Sequence, residues 1–155
     1  MSEDEWDAVI RVHLKGTFAP SRHAVAYWRE RAKAGLPVSG RIINTTSVSG
    51  IYGNPGQANY GAAKMGIAGF TIIAAQELAR YGVTVNAISP GIVDTPMVRG
   101  SRDAAGLDAV RESIPFKRLA DPSELAALIA FLVSDEAVYI TGANVDIHGG
   151  ELIIA

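Results

Sequence analysis

Cysteine is absent from these 155 residues, which excludes disulfides, thiolate catalysis and cysteine-held metal. The three histidines, His13, His23 and His148, are far apart and match no metal-ligand spacing, so no metal is expected. Neither sign of charge dominates. Lys and Arg number 14 against 16 Asp and Glu, a net charge of −2, so nothing argues for nucleic acid or an anionic membrane as partner. No stretch reaches the roughly 18–20 uninterrupted apolar residues of a membrane span. The acidic start Met1-Ser2-Glu3-Asp4-Glu5-Trp6 lacks the apolar core of a secretory signal, and a cytoplasmic location is expected. Also missing is any GxGxxG-like loop after a strand.

What is present suits a globular domain. The hydrophobic fraction is 48% and the charged fraction 19%, enough apolar matter for one core. Ser2 followed by Glu5 reads as a capping box, and Trp6, Val9, Ile10 and Leu14 recur at helical spacing. That helix is expected to run toward Arg31, with a kink just after His13 because Pro20 cannot donate to the carbonyl of Gly16. Arg41 to Ser47 reads as a β-branched strand leading into a glycine-rich turn, Ser49 to Gly56.

A helix from about Asn59 to Arg80 is apolar almost all round, which predicts burial on several sides, against a sheet or a partner chain. Its Gly61, Gly66 and Gly69 predict close backbone packing. Val83 to Ser89 reads as a strand and residues 96–115 as a flap with a short helix. Pro122-Ser123-Glu124 opens another helix, and Ala143 to Ile147 is the last strand. Helices alternating with strands predict an α/β fold with parallel strands and right-handed crossovers. Three strands are few for a doubly wound sheet, so the pattern reads as the second half of a larger Rossmann-like domain.

The chemistry lies in Tyr60-Gly61-Ala62-Ala63-Lys64. A phenol and an ammonium four residues apart share one helix face, where the cation makes the phenol a better acid. Lys64 sits among apolar residues with no other charge until Glu77, so burial would demand a compensating role. Ser47 precedes Tyr60 by 13 positions at a strand end; Thr45, Thr46 and Ser49 are rival hydroxyls.

Several ordered motifs carry a resemblance. Asn44-Thr45-Thr46-Ser47-Val48-Ser49-Gly50 is followed by Gly53-Asn54-Pro55-Gly56-Gln57-Ala58-Asn59-Tyr60 with Lys64. Then come Val85-Asn86-Ala87-Ile88-Ser89-Pro90-Gly91-Ile92-Val93-Asp94-Thr95, Ile114-Pro115 with Arg118, Pro122 with Glu124, and Ile140-Thr141-Gly142 with Gly149-Gly150. Together they resemble the catalytic half of a short-chain dehydrogenase/reductase, over essentially the whole chain. The resemblance implies NAD or NADP as cofactor and a secondary alcohol or ketone as substrate. Tyr60 would be the general acid/base, Ser47 would orient the substrate oxygen, and Lys64 would bind the nicotinamide ribose. Pro90, Gly91, Val93 and Thr95 match the segment lying against the nicotinamide, and Ser47, Gln57, Tyr60 and Met97 would meet the substrate.

His13 stands where the family usually has asparagine, whose backbone carbonyl holds a water in the proton relay. The stretch Ser49-Gly50-Ile51-Tyr52-Gly53-Asn54 with Gln57 resembles hydroxyacyl-CoA dehydrogenases of multifunctional enzymes, then 3-oxoacyl-carrier-protein reductases. Residues 1–155 therefore read as a partial domain lacking the adenosine-phosphate loop, with Met1 corresponding to an internal position of a longer chain. The family's subunits pair through helices equivalent to residues 3–31 and 59–80, giving an expected homodimer or homotetramer. The competing expectation is an inactive remnant that keeps only this association surface.

Overall fold

The computed structural model describes residues 1–151. Ser2 caps α1 (Glu3–Val9): its hydroxyl accepts from the Glu5 amide at 3.2 Å, and Glu5 returns the bond to the Ser2 amide at 2.6 Å. The chain then widens into a π-helical stretch, Ile10–Lys15, before α2 (Gly16–Lys33). The expected irregularity is there, but it contains His13 rather than following it. Within it the Gly16 amide reaches the Arg11 carbonyl, five residues back, and Thr17 Oγ1 donates to the His13 carbonyl at 2.8 Å. Pro20 lies inside α2.

Strand β1 (Arg41–Thr45) is two residues shorter than the sequence predicts, because Ser47 turns out to cap a short helix, α3 (Val48–Ile51). Next come α4 (Ala58–Leu78), with a 3₁₀ turn Ala79–Tyr81 at its end, and β2 (Thr84–Pro90). The flap resolves into two helices, α5 (Pro96–Gly100) and α6 (Ala104–Ser113). Helix α7 (Pro122–Val133) starts with a second capping box, Asp121 with Glu124, and β3 (Asn144–Ile147) completes the sheet.

The sheet is parallel throughout, in the order β1-β2-β3, with Asn44 opposite Ala87 and Ala87 opposite Asn144. Central β2 is buried along Thr84–Ser89, as expected of a strand covered on both faces. Around it pack Ala74, Ala75 and Leu78 of α4 with Val83 and Val85, and Val25, Trp28 and Phe70 lean on this cluster. The outer edge of β1 has no strand beside it among the described residues, and a cavity of about 630 Å³ runs there between β1 and α2. This is the α/β half-sheet that the sequence predicts.

Helix α4 is covered by this chain on one side only. It buries Ala63, Lys64, Ile67, Ala68, Thr71, Ala74, Ala75 and Leu78, but Met65, Ile72 and Ile73 are about half exposed on its other side. Close packing holds at Gly66, where a Cβ would lie 3.0 Å from Leu14, and fails at Gly69, which has open space.

Candidate active site

Four local devices place the side chains. Asn59 ties the start of α4 down twice: its Oδ1 accepts from the Tyr60 amide at 2.8 Å, and its Nδ2 donates to the Glu5 carbonyl at 3.1 Å. Tyr60 is thereby fixed in the first turn of α4, beside the π-helical stretch. The second device is Ser47, whose Oγ accepts from the Ser49 amide at 3.2 Å as the cap of α3. A hydroxyl that accepts in this way keeps its own proton to donate.

The third device is a missing side chain. Gly50 lets α3 close over α4: a Cβ there would lie 2.7 Å from the Lys64 Cβ. The fourth is the β1 backbone, whose Thr45 carbonyl accepts from Lys64 Nζ at 2.8 Å. Lys64 is only 7% exposed, and burial holds its ammonium pKa below the ordinary lysine value. Lys64 is thus buried rather than on a solvated face, and the Thr45 carbonyl is the partner that its burial demands.

Tyr60 sits between two neighbours. The His13 ring meets it edge-on, with centroids 5.1 Å apart and planes at 89°, and Lys64 Nζ lies 5.4 Å from its ring centroid. Burial first, and the Lys64 charge second, lower the His13 pKa below its usual 6.5, so the imidazole is mainly neutral at pH 7.

A cleft of about 370 Å³ opens on one side of Tyr60. Ser47, Ser49, Gln57, Tyr60, Gly91, Val93 and Thr95 all line it. Lys64, His13 and Thr45 line the larger cavity beside β1, so Tyr60 stands between two compartments. Of the rival hydroxyls, Thr46 is spent within the sheet on the Ile88 carbonyl at 2.9 Å and Asn144 at 2.6 Å. Thr45 is on the other side; only Ser49 shares the cleft with Ser47. Pro90 ends β2 and is half-buried, whereas Met97 is 82% exposed and does not line the cleft. Thr95 Oγ1 caps α5 by accepting from the Val98 amide at 3.3 Å.

Sequence reasoning missed Asn54, Ile92, Val98, Arg102 and Glu151, which also line the cleft. No local pattern marks them; Glu151 comes from a segment about 100 residues away from Ser47 that β3 delivers alongside Gly91. The residues present fit a nicotinamide nucleoside. Lys64 commits one of its three N–H donors to Thr45 and is otherwise without a hydrogen-bond partner among the described residues, so two remain for ribose hydroxyls in the cavity it lines.

A profile of the family described as Enoyl-(Acyl carrier protein) reductase matches residues 1–151. A 3-oxoacyl-[acyl-carrier-protein] reductase FabG of Thermotoga maritima is 44% identical over 99% of this chain and 59% of its own length. An acetoacetyl-CoA reductase of Allochromatium vinosum is 47% identical over 97% of this chain and 58% of its own. A (3R)-3-hydroxyacyl-CoA dehydrogenase of Homo sapiens is 43% identical over 97% and 55% respectively. The chain thus spans under 60% of the length of these relatives. Two cavities meeting at a Tyr-Lys helix on a parallel half-sheet, in a chain that aligns over nearly its own full length with these relatives, leave one assignment: this chain belongs to the short-chain dehydrogenase/reductase family.

Proposed function

We propose that the protein containing this chain interconverts a secondary alcohol and a ketone with NAD or NADP, acting on a 3-oxoacyl or 3-hydroxyacyl thioester. The observation that carries this reading is Tyr60, flanked by His13 and Lys64 on one side and opening with Ser47 on a cleft on the other. The thioester follows from relatives named for oxoacyl, acetoacetyl and hydroxyacyl substrates at 43–47% identity.

When bound, the dinucleotide supplies or takes up the hydride. Ser47, oriented by its cap, donates its hydroxyl proton to the substrate oxygen and holds it beside the phenol. In reduction Tyr60 gives its proton to that oxygen as hydride reaches the carbon; in oxidation it takes the proton back. Lys64 holds the ribose and places a cation where charge grows on the phenol oxygen. Neutral His13, against the Tyr60 ring, and its backbone carbonyl lie on the proton's route from the β1-side cavity. Pro90, Gly91, Val93 and Thr95 bound the nicotinamide end, and Gln57 and the flap face the substrate.

Tyr60→Phe tests this. The variant is expected to lose turnover by about 100-fold or more, the scale of general acid–base catalysis, while dinucleotide affinity changes little. Turnover near the wild-type rate would remove Tyr60 from its role.

A specific observation also favours the association reading. Met65, Ile72 and Ile73 form a half-exposed apolar stripe on α4, with exposed Phe18 and Tyr27 on α2. We propose these helices as the subunit contact of a homodimer or homotetramer. An inactive remnant would assemble through that stripe yet bind neither NADH nor NADPH at millimolar concentration, which nicotinamide fluorescence reads directly.

A further inference from the structure

Ser47 can polarise a substrate oxygen only if the segment that carries it keeps its distance from Tyr60. A misplacement of about 1 Å can cost on the order of 100-fold in rate. The cap bond from the Ser49 amide lies within that segment and does not fix it to the sheet. Strand β1 ends at Thr45, and the last backbone bond from this segment to the sheet, among the described residues, is that of the Thr46 amide to the Ile88 carbonyl at 2.9 Å. Helix α4 supports one flank of α3 at Gly50, where a Cβ would meet Lys64. The far end of α3 needs a tie of its own.

Strand β3 supplies it. Asn144 and Asp146 alternate along that strand with Val145 between them, so both project from one face. Thr46 Oγ1 lies 2.6 Å from Asn144 Oδ1. Tyr52, the residue that closes α3, donates its hydroxyl to Asp146 Oδ2 at 3.0 Å. Asn144 Nδ2 meets the other oxygen of that carboxylate, Oδ1, at 3.4 Å. The residue just before Ser47 and the residue that ends its helix are therefore tied to the same strand. The bond first, and the Asp146 charge second, raise the Tyr52 pKa above its ordinary 10.0, so the phenol keeps its proton and stays a donor around neutrality. Neither Tyr52 nor Asp146 lines the cleft, so neither acts on a ligand there directly.

We infer that Tyr52 and Asp146 are positioning residues: their bond latches the end of α3 to β3 and so holds the Ser47 hydroxyl at the substrate oxygen beside Tyr60. This inference rests on the roles proposed for Ser47 and Tyr60 above. The latch is at the surface, where water competes for both partners, so its worth is that of one ordinary hydrogen bond.

The test is steady-state reduction of acetoacetyl-CoA by the full-length protein with NADH or NADPH, whichever supports turnover, for wild type, Tyr52→Phe and Asp146→Ala. Each variant is expected to lower kcat about fivefold, the scale of one net hydrogen bond, while KM and dinucleotide affinity change by less than about twofold. Tyr52→Phe is then repeated in a Ser47→Ala background. A latch that acts through Ser47 has nothing left to position there and should cost no further turnover. An unchanged kcat in either single variant overturns the latch and leaves the dehydrogenase reading standing. The latch falls equally if the loss persists in the Ser47→Ala background, since Tyr52 then acts on the fold or on another group. A rise in KM in place of the fall in kcat assigns Tyr52 to binding and overturns it as well. Failure of wild type to turn over acetoacetyl-CoA with either dinucleotide overturns both this inference and the reading beneath it.

Discussion

Lys64 is where stability and function pull in opposite directions, and Lys64→Met makes the conflict measurable. Three quantities set the outcome. The methionine side chain is close to the lysine stem in shape, so the cavity left under α3 is small and its cost low, under about 1.5 kcal/mol. The bond to the Thr45 carbonyl is lost, about 1.5–3 kcal/mol for a charged donor. That carbonyl lies in β1, beside the larger cavity that Thr45 itself lines, where water can replace the ammonium. Against these stands the relief of a desolvated cation, worth several kcal/mol. The net expectation is a gain of about 1 kcal/mol in unfolding free energy, read by urea titration at pH 7.

The pH dependence supplies the sharper reading. Folding lowers the Lys64 pKa below its ordinary 10.5, so the unfolded chain holds the proton more tightly. Wild-type stability therefore rises with pH as the folded-state pKa is crossed and until the ordinary value is reached. The penalty is full below that window and gone above it. Lys64→Met carries no such proton, so its advantage should be largest near neutrality and fade toward pH 10.5. Dinucleotide affinity should meanwhile fall about tenfold or more, one charge-assisted contact to the ribose being gone. A variant less stable than wild type by about 1 kcal/mol or more at pH 7, with no narrowing of the gap at high pH, would refute the reasoning about burial.

Two further expectations are more local. Glu124 accepts from both Arg118 nitrogens at 2.6 and 2.7 Å and from the Asp121 amide at 2.8 Å, and these bonds pull its pKa from 4.5 to about 2. The resulting stability is complete above the ordinary carboxylate value and lost as pH falls from about 4.5 to about 2, so Glu124→Gln should flatten the thermal midpoint over that range alone. Gly50→Ala drives a methyl to 2.7 Å from the Lys64 Cβ, with the Met65 amide behind it at 3.3 Å. Denaturant unfolding should register a loss of about 1–3 kcal/mol, and a neutral result would mean α3 moves freely on α4.

Much of the fold was legible because periodicity and capping are local signals. The boxes at Ser2 and Asp121, the two prolines at 90 and 122, and the β-branched strands place their elements within about two residues. The misses have local causes too. The glycine-rich stretch after Ser47 hid a four-residue helix, because a helix that short has no periodicity to detect. Hydrophobicity on every side of α4 predicts a cover from a sheet or a partner chain; the sheet supplies it on one side, while Met65, Ile72 and Ile73 are half exposed on the other. In the site, Tyr60 and Lys64 could be paired from spacing on a single helix. Glu151 and Arg102 could not, since only the register of β3 on β2 and the turn after α5 bring them to Gly91 and Thr95.

Ser47 narrows what its position can tolerate. Its oxygen holds the first turn of α3 in place, a task open to aspartate, asparagine, serine and threonine alike. Presenting a spare hydroxyl hydrogen to the cleft eliminates the acid, and the amide's donor is one atom too distant to be superimposed on it. Only the two alcohols satisfy both demands. A single atom thus couples the shape of the cleft wall to its capacity to polarise a ligand, so neither property can drift without the other.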